Sequence, residues 1–168
     1  MGDFRILVVD DEEAMRESLA AWLIKSDYSV ETASGGAKAL EALAERPCDL
    51  ALVDIKMPGM DGHELLRRIK EKHPATMVVM ITAYGSIESA VAAMKEGASD
   101  YLLKPFDPEH LIFLVEKLAR QKELMDGYQV MQARLAEWDT GGFEDLIGRS
   151  ESMRKVFVLI EEVAQTDT

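Results

Sequence analysis

The chain has 168 residues, 48% of them apolar, with a formal charge of −12; that is enough for one domain of ordinary size plus an appendage, built around a real core. So acidic a balance argues against nucleic acid as a partner of this segment, because phosphate binding needs clustered Lys and Arg. The single cysteine, Cys48, excludes an internal disulfide and fits a reducing cytoplasm, and no stretch approaches the roughly 20 apolar residues that cross a bilayer.

Apolar runs of strand length recur at Phe4 to Val9, Tyr28 to Ala33, Leu50 to Val53, Met77 to Ile81 and Tyr101 to Leu103. Runs such as ILVV and MVVMI do not alternate, as expected for parallel strands covered on both faces. Between them lie segments of helical period: Met15, Leu19, Trp22 and Leu23 fall on one side of the first, and Leu65, Leu66 and Ile69 on one side of the third. Glycine and proline mark turns at Gly35-Gly36, Pro58-Gly59, Gly62, Pro74 and Gly97. The pattern predicts an α/β fold, a doubly wound (βα)5 parallel sheet ordered 2-1-3-4-5.

The fifth helix begins after Pro108, and its apolar spacing runs on to about Trp138. With Leu111 as a heptad a position, the a series is Leu111, Leu118, Met125 and Gln132, and the d series is Leu114, Gln121, Tyr128 and Leu135. Six of these eight are apolar or aromatic, which predicts a coiled-coil dimer linker over residues 121–141, although Gly127 inside the run is costly to a helix. Thr140-Gly141-Gly142 is expected to break the helix. The amphipathic segment after it, with Ser150 as a cap and Met153, Val156, Phe157 and Ile160 on one face, has too few residues to bury a core of its own. It reads as the start of a further domain, residues 142–168, cut short.

Charge gathers where strands end. Asp10 and Asp11 follow strand 1, Asp54 follows strand 3 and Lys104 follows strand 5. In a sheet of this order those ends share one edge, so three carboxylates and one ammonium converge. Carboxylates of ordinary pKa repel one another at neutral pH, so the arrangement predicts a hard divalent cation among them. His63, His73 and His110 lack ligand spacing, and no metal role is assigned to them.

The motifs ILVVDDE, LVDIKMPGMDG, ITAYG and DYLLKPF, in that order, resemble those of the receiver domains of two-component response regulators, over about residues 4 to 120. Residues 142–168 resemble the opening of the AAA+ domain of NtrC-like sigma-54 activators. The resemblance implies that Asp54 accepts a phosphoryl group from a sensor histidine kinase. It implies that Asp11, Asp54 and the backbone carbonyl of Lys56 hold Mg²⁺, with Asp10 acting in the same cluster through water or by orienting it. Lys104 balances charge, and Lys104-Pro105 is implied to be a cis peptide. Thr82 and Tyr101 are the implied switch: bonds from Thr82 and Lys104 to a phosphoryl oxygen supply roughly 3 to 6 kcal/mol, against about 5.5 needed to throw a two-state equilibrium from 1:99 to 99:1.

The expected readout is homodimerisation through the face of helix 4, strand 5 and helix 5 and through the linker. In the longer protein this would regulate an attached sigma-54 activator ATPase, and through it RNA polymerase and DNA. Lys56 and Tyr84 flank the site without supplying a water-activating carboxylate, so self-dephosphorylation is expected to be slow. Three other readings are weaker. A haloacid dehalogenase-like phosphatase needs an aspartate two positions after its nucleophile at strand 1, where this chain has Asp10-Asp11-Glu12. An ATPase needs a G-x-x-x-x-G-K-[ST] cradle, and this sequence has none. A receiver fold used only for dimerisation would not need every functional position to be present.

Overall fold

The structure is a computed structural model, and it describes residues 4–83 and 87–147, with side chains described over 4–83 and 89–134. Tyr84, the side chains of Leu135 and Trp138, and the expected cap at Ser150 lie outside the described residues. The chain divides into two units, Met1–Arg120 and Gln121–Thr168.

Five strands, β1 (Arg5–Val9), β2 (Ser29–Ala33), β3 (Leu50–Asp54), β4 (Met77–Thr82) and β5 (Asp100–Leu103), alternate with α1 (Glu13–Lys25), α2 (Gly36–Glu45), α3 (Gly62–Lys72), α4 (Ile87–Lys95) and α5 (Pro108–Ile147). All strand pairs are parallel and the order is 2-1-3-4-5, as the hydrophobic runs predict. Every residue of β3 and β4 is buried, whereas the edge strand β2 is largely exposed.

Successive residues of each strand feed opposite faces of the sheet. Leu7, Val9, Ala51, Val53, Val78 and Met80 pack with Leu43 of α2, Leu65, Leu66 and Ile69 of α3 and Ala93 of α4. Ile6, Val8, Leu50, Leu52, Val79 and Ile81 pack with Leu19 and Leu23 of α1 and with Leu111, Leu114, Val115 and Leu118 of α5. Burying one Leu-sized side chain contributes about 1.5–3 kcal/mol, so these two clusters hold the helices on the sheet.

The second cluster corrects the heptad reading. Leu111, Leu114 and Leu118 are buried in the first unit's own core and are not available to a dimer seam. The physical reason is that a helix lying on a sheet needs apolar residues at the same spacing as a coiled coil does. Met125 and Tyr128, in the second unit, are exposed. The expected break at Thr140-Gly141-Gly142 is also absent, since α5 extends through both glycines to Ile147. Each glycine costs a helix about 1 kcal/mol, a weak bias and not the steric block that a proline would impose.

Candidate functional site

At the carboxyl ends of β1 and β3 the backbone turns away, and two side chains stay behind. Asp10 follows β1, and its Oδ1 accepts the N–H of Glu12 at 2.9 Å, a local turn that starts α1. Arg16 Nη1 donates to the Asp10 carbonyl at 2.8 Å, tying the first turn of α1 to the strand end. Asp54 is the last residue of β3, and its Oδ2 accepts the N–H of Lys56 at 2.9 Å. Both carboxylates are buried, 2% and 7% exposed.

Lys104 joins them. It follows β5, and its N–H donates to the carbonyl of Thr82 at 2.7 Å, which fixes the start of its side chain beside the end of β4. Its Nζ donates to Asp54 Oδ1 at 2.8 Å and to Asp10 Oδ2 at 3.0 Å. Residues separated by 94 and 50 positions thus share one ammonium. Burial raises the Asp54 pKa; the hydrogen bond and charge of Lys104 oppose that, and the charge of Asp10 adds to it. Burial works against the Lys104 ammonium, but the bonds and charges of Asp54 and Asp10 outweigh it and raise its pKa.

The remaining sequence-derived residues fall around this pair of bonds in different ways. Thr82, buried, ends β4 and is tied through its carbonyl to Lys104. The Lys104-Pro105 bond is cis. Tyr101 lies on β5 with its ring against the core, and its hydroxyl is buried without a hydrogen-bond partner among the described residues. Desolvation raises its pKa. Asp11, in contrast, is exposed, and the structure does not bring it into the Asp10–Asp54–Lys104 contact. Asp10, expected to act in the cluster through water or by orienting it, touches Lys104 directly.

Among the described residues no three Asp, Glu, His or Cys side chains stand together in a metal-binding group. The carboxylates that do meet, Asp10 and Asp54, nevertheless offer oxygen donors at this edge, and the single Lys104 ammonium does not neutralise both. That donor chemistry fits a hard divalent cation such as Mg²⁺.

Gly62, a turn residue by sequence, has a further role in the fold. A Cβ there would stand 2.5 Å from the Asp54 carbonyl oxygen and 2.8 Å from Ile55 Cα. Its N–H donates to the Ile55 carbonyl at 2.9 Å, and Asp61 beside it caps α3 by accepting the N–H of Glu64 at 2.8 Å. The missing side chain is therefore what lets α3 start against the strand end that carries Asp54. The signal in the sequence was the D-G pair preceding Glu64, a helix start placed just after an acidic strand end.

Residues 6–116 match the family described as the response regulator receiver domain. The chain is 37% identical over 161 residues, 96% of its length, to the DNA-binding transcriptional regulator NtrC of Escherichia coli (strain K12). It is 44% identical over 121 residues, 72% of its length, to the transcriptional regulatory protein ZraR of Escherichia coli O157:H7. It covers 33% and 27% of those proteins, about a third of their length or less. Among solved structures, the receiver domain of NtrX from Brucella abortus aligns at a TM-score of 0.65 and 41% identity, covering 67% of this chain and 96% of that one. A longer NtrX structure aligns at 0.73 and 34%, covering 98% of this chain and 35% of that one.

Proposed function

Because this chain belongs to the response regulator receiver family, a family of two-component signalling, we propose that Asp54 is its phosphoryl acceptor and that a sensor histidine kinase is the donor. The observation that carries this reading is the Lys104 ammonium held between the buried carboxylates of Asp10 and Asp54. An Asp54 oxygen attacks phosphorus, the bond from phosphorus to the donor's imidazole nitrogen breaks, and an acyl phosphate forms while the imidazole takes a proton. Asp11, Asp54 and the Lys56 carbonyl would hold Mg²⁺, with Asp10 beside them. The ion, when bound, would neutralise charge on the transferred group.

After transfer, Lys104 keeps Asp10 as a partner and gains phosphoryl oxygens, and the Thr82 hydroxyl donates to another. Tyr101, whose hydroxyl is buried and unpartnered, relays the change at Thr82 to the face of α4, β5 and α5. Exposed Val91 and Met94 of α4 and Leu103 of β5 make that face apolar and suited to a second copy. On the linker, the seam consistent with the buried leucines begins later than the heptad count assumed. Leu124, Tyr128 and Met131, exposed at 76%, 64% and 65%, are spaced four and three, and the sequence continues this through Leu135 and Trp138. In the longer protein the dimer change would govern an attached sigma-54 activator ATPase, of which 142–168 is the opening, and through it transcription from DNA in the cytoplasm. Lys56 and Tyr84 supply no base for water, so the acyl phosphate decays slowly.

The test is intact mass after incubation with a small phosphodonor and Mg²⁺. Wild type gains one phosphoryl group that persists for longer than minutes, and Asp54→Asn gains none. Uptake by the variant would move the acceptor elsewhere.

A further inference from the structure

α4 ends in a tight cap. The N–H of Ala98 donates to the Ala93 carbonyl at 3.0 Å and that of Gly97 to the Met94 carbonyl at 3.2 Å, with Gly97 at φ +98°. This is the two-bond glycine cap of a helix end, and it makes Glu96 the C-cap residue. A carboxylate is misplaced there, since the helix terminus already carries partial negative charge.

What offsets it lies on α3. His63, Arg67 and Lys70 stand at i, i+4 and i+7 and so share one face of that helix. His63 Nδ1 lies 2.7 Å from Glu96 Oε2, and Arg67 Nη1 donates to Glu96 Oε1 at 3.1 Å, so each carboxylate oxygen has its own basic partner. The Lys70 stem crosses Gly97, where an added Cβ would meet its Cγ at 3.4 Å, while its ammonium donates to the Thr76 carbonyl at 2.7 Å. Beneath this cap Ala93 and Ala98 are buried, whereas Val91 and Met94 on the outer side are exposed.

We propose that Glu96, gripped by His63 and Arg67 of α3, is a positioning residue that makes the C-terminal end of α4 the fixed point of the switch. The rearrangement that follows phosphorylation is then confined to the N-terminal part of α4, the end that follows Thr82. This rests on the reading of Asp54 as acceptor, and a separate measurement keeps the two apart.

The experiment is site-resolved amide hydrogen exchange on the whole chain, with and without Mg²⁺ and a small phosphodonor, each sample checked by intact mass. Phosphorylation should alter exchange over residues 87–91 and leave Gly97 and Ala98 within about twofold of the free protein. Glu96→Ala should speed Gly97 and Ala98 by about tenfold without lowering phosphoryl uptake. In that variant the phosphorylation response should also spread to Gly97 and Ala98, which a merely stabilising side chain would not cause. If Glu96→Ala does not fold, Arg67→Ala, at an exposed side chain, should give the same pattern at about threefold. The proposal is overturned if phosphorylation speeds Gly97 and Ala98 as much as 87–91, or if the folded variant exchanges there within about twofold of wild type. Absence of phosphoryl on wild type would instead remove the acceptor assignment, and the variant's exchange in the unmodified protein would still decide whether the grip exists.

Discussion

Replacing Lys104 by Met removes the one cation shared by two buried carboxylates while keeping most of the side chain's volume. Deleting one partner of a buried ion pair costs about 3–5 kcal/mol, because the other charge is left unpaired. Lys104 reaches solvent along one side, 16% of its side chain being exposed, so screening places the loss at about 3 kcal/mol. In a domain of this size that lowers Tm by roughly 10 °C. The loss depends on pH in a defined direction. Asp54 already sits above the ordinary carboxylate pKa because of burial, and without Lys104 it rises further. A carboxylate whose folded pKa exceeds its unfolded value destabilises the fold when ionised, so the variant's deficit is largest at neutral pH and shrinks as pH falls through that raised pKa. Urea unfolding of both proteins between pH 5 and 8 measures it. A deficit under about 1 kcal/mol at neutral pH, or one that grows on acidification, would mean that Lys104 does not offset the buried carboxylates.

Gly62→Ala should lose about 1–3 kcal/mol by denaturant unfolding, and its phosphoryl uptake should slow because the new Cβ presses on the Asp54 backbone; an unchanged protein would mean that the approach of α3 is not tight. Tyr101→Phe removes a buried hydroxyl that has no partner, so thermal unfolding should show a gain of about 1 kcal/mol, and a loss of that size would mean that the hydroxyl is satisfied in the folded state. Leu118→Ala should cost about 2–5 kcal/mol in the first unit's core, whereas Leu124→Ala should leave its unfolding within about 0.5 kcal/mol and weaken self-association in sedimentation. The reverse pattern would restore the original heptad register.

The sheet was legible because ILVV, LALV and MVVMI are short, apolar without alternation and mostly rich in β-branched residues, as strands covered on both faces require. Asp54 and Lys104 were legible for a related reason: a charge ending such a run cannot go inward with its neighbours and must sit at the rim. The direct bond between Asp10 and Lys104 was not legible, since which of two consecutive carboxylates turns inward depends on the bond from the Glu12 N–H, which only the folded turn supplies. Leu111, Leu114 and Leu118 misled because helix-on-sheet and helix-on-helix packing demand one spacing. The partner of His63 was invisible, because Glu96 lies 33 positions away on a different helix.

The acceptor itself is tested most directly by trapping it. Borohydride reduces an aspartyl phosphate to the alcohol, so treating the phosphorylated protein and mapping its peptides marks the modified residue as homoserine. Homoserine is expected at position 54 alone. Homoserine at position 10 or 11, with Asp54 intact, would move the acceptor away from β3.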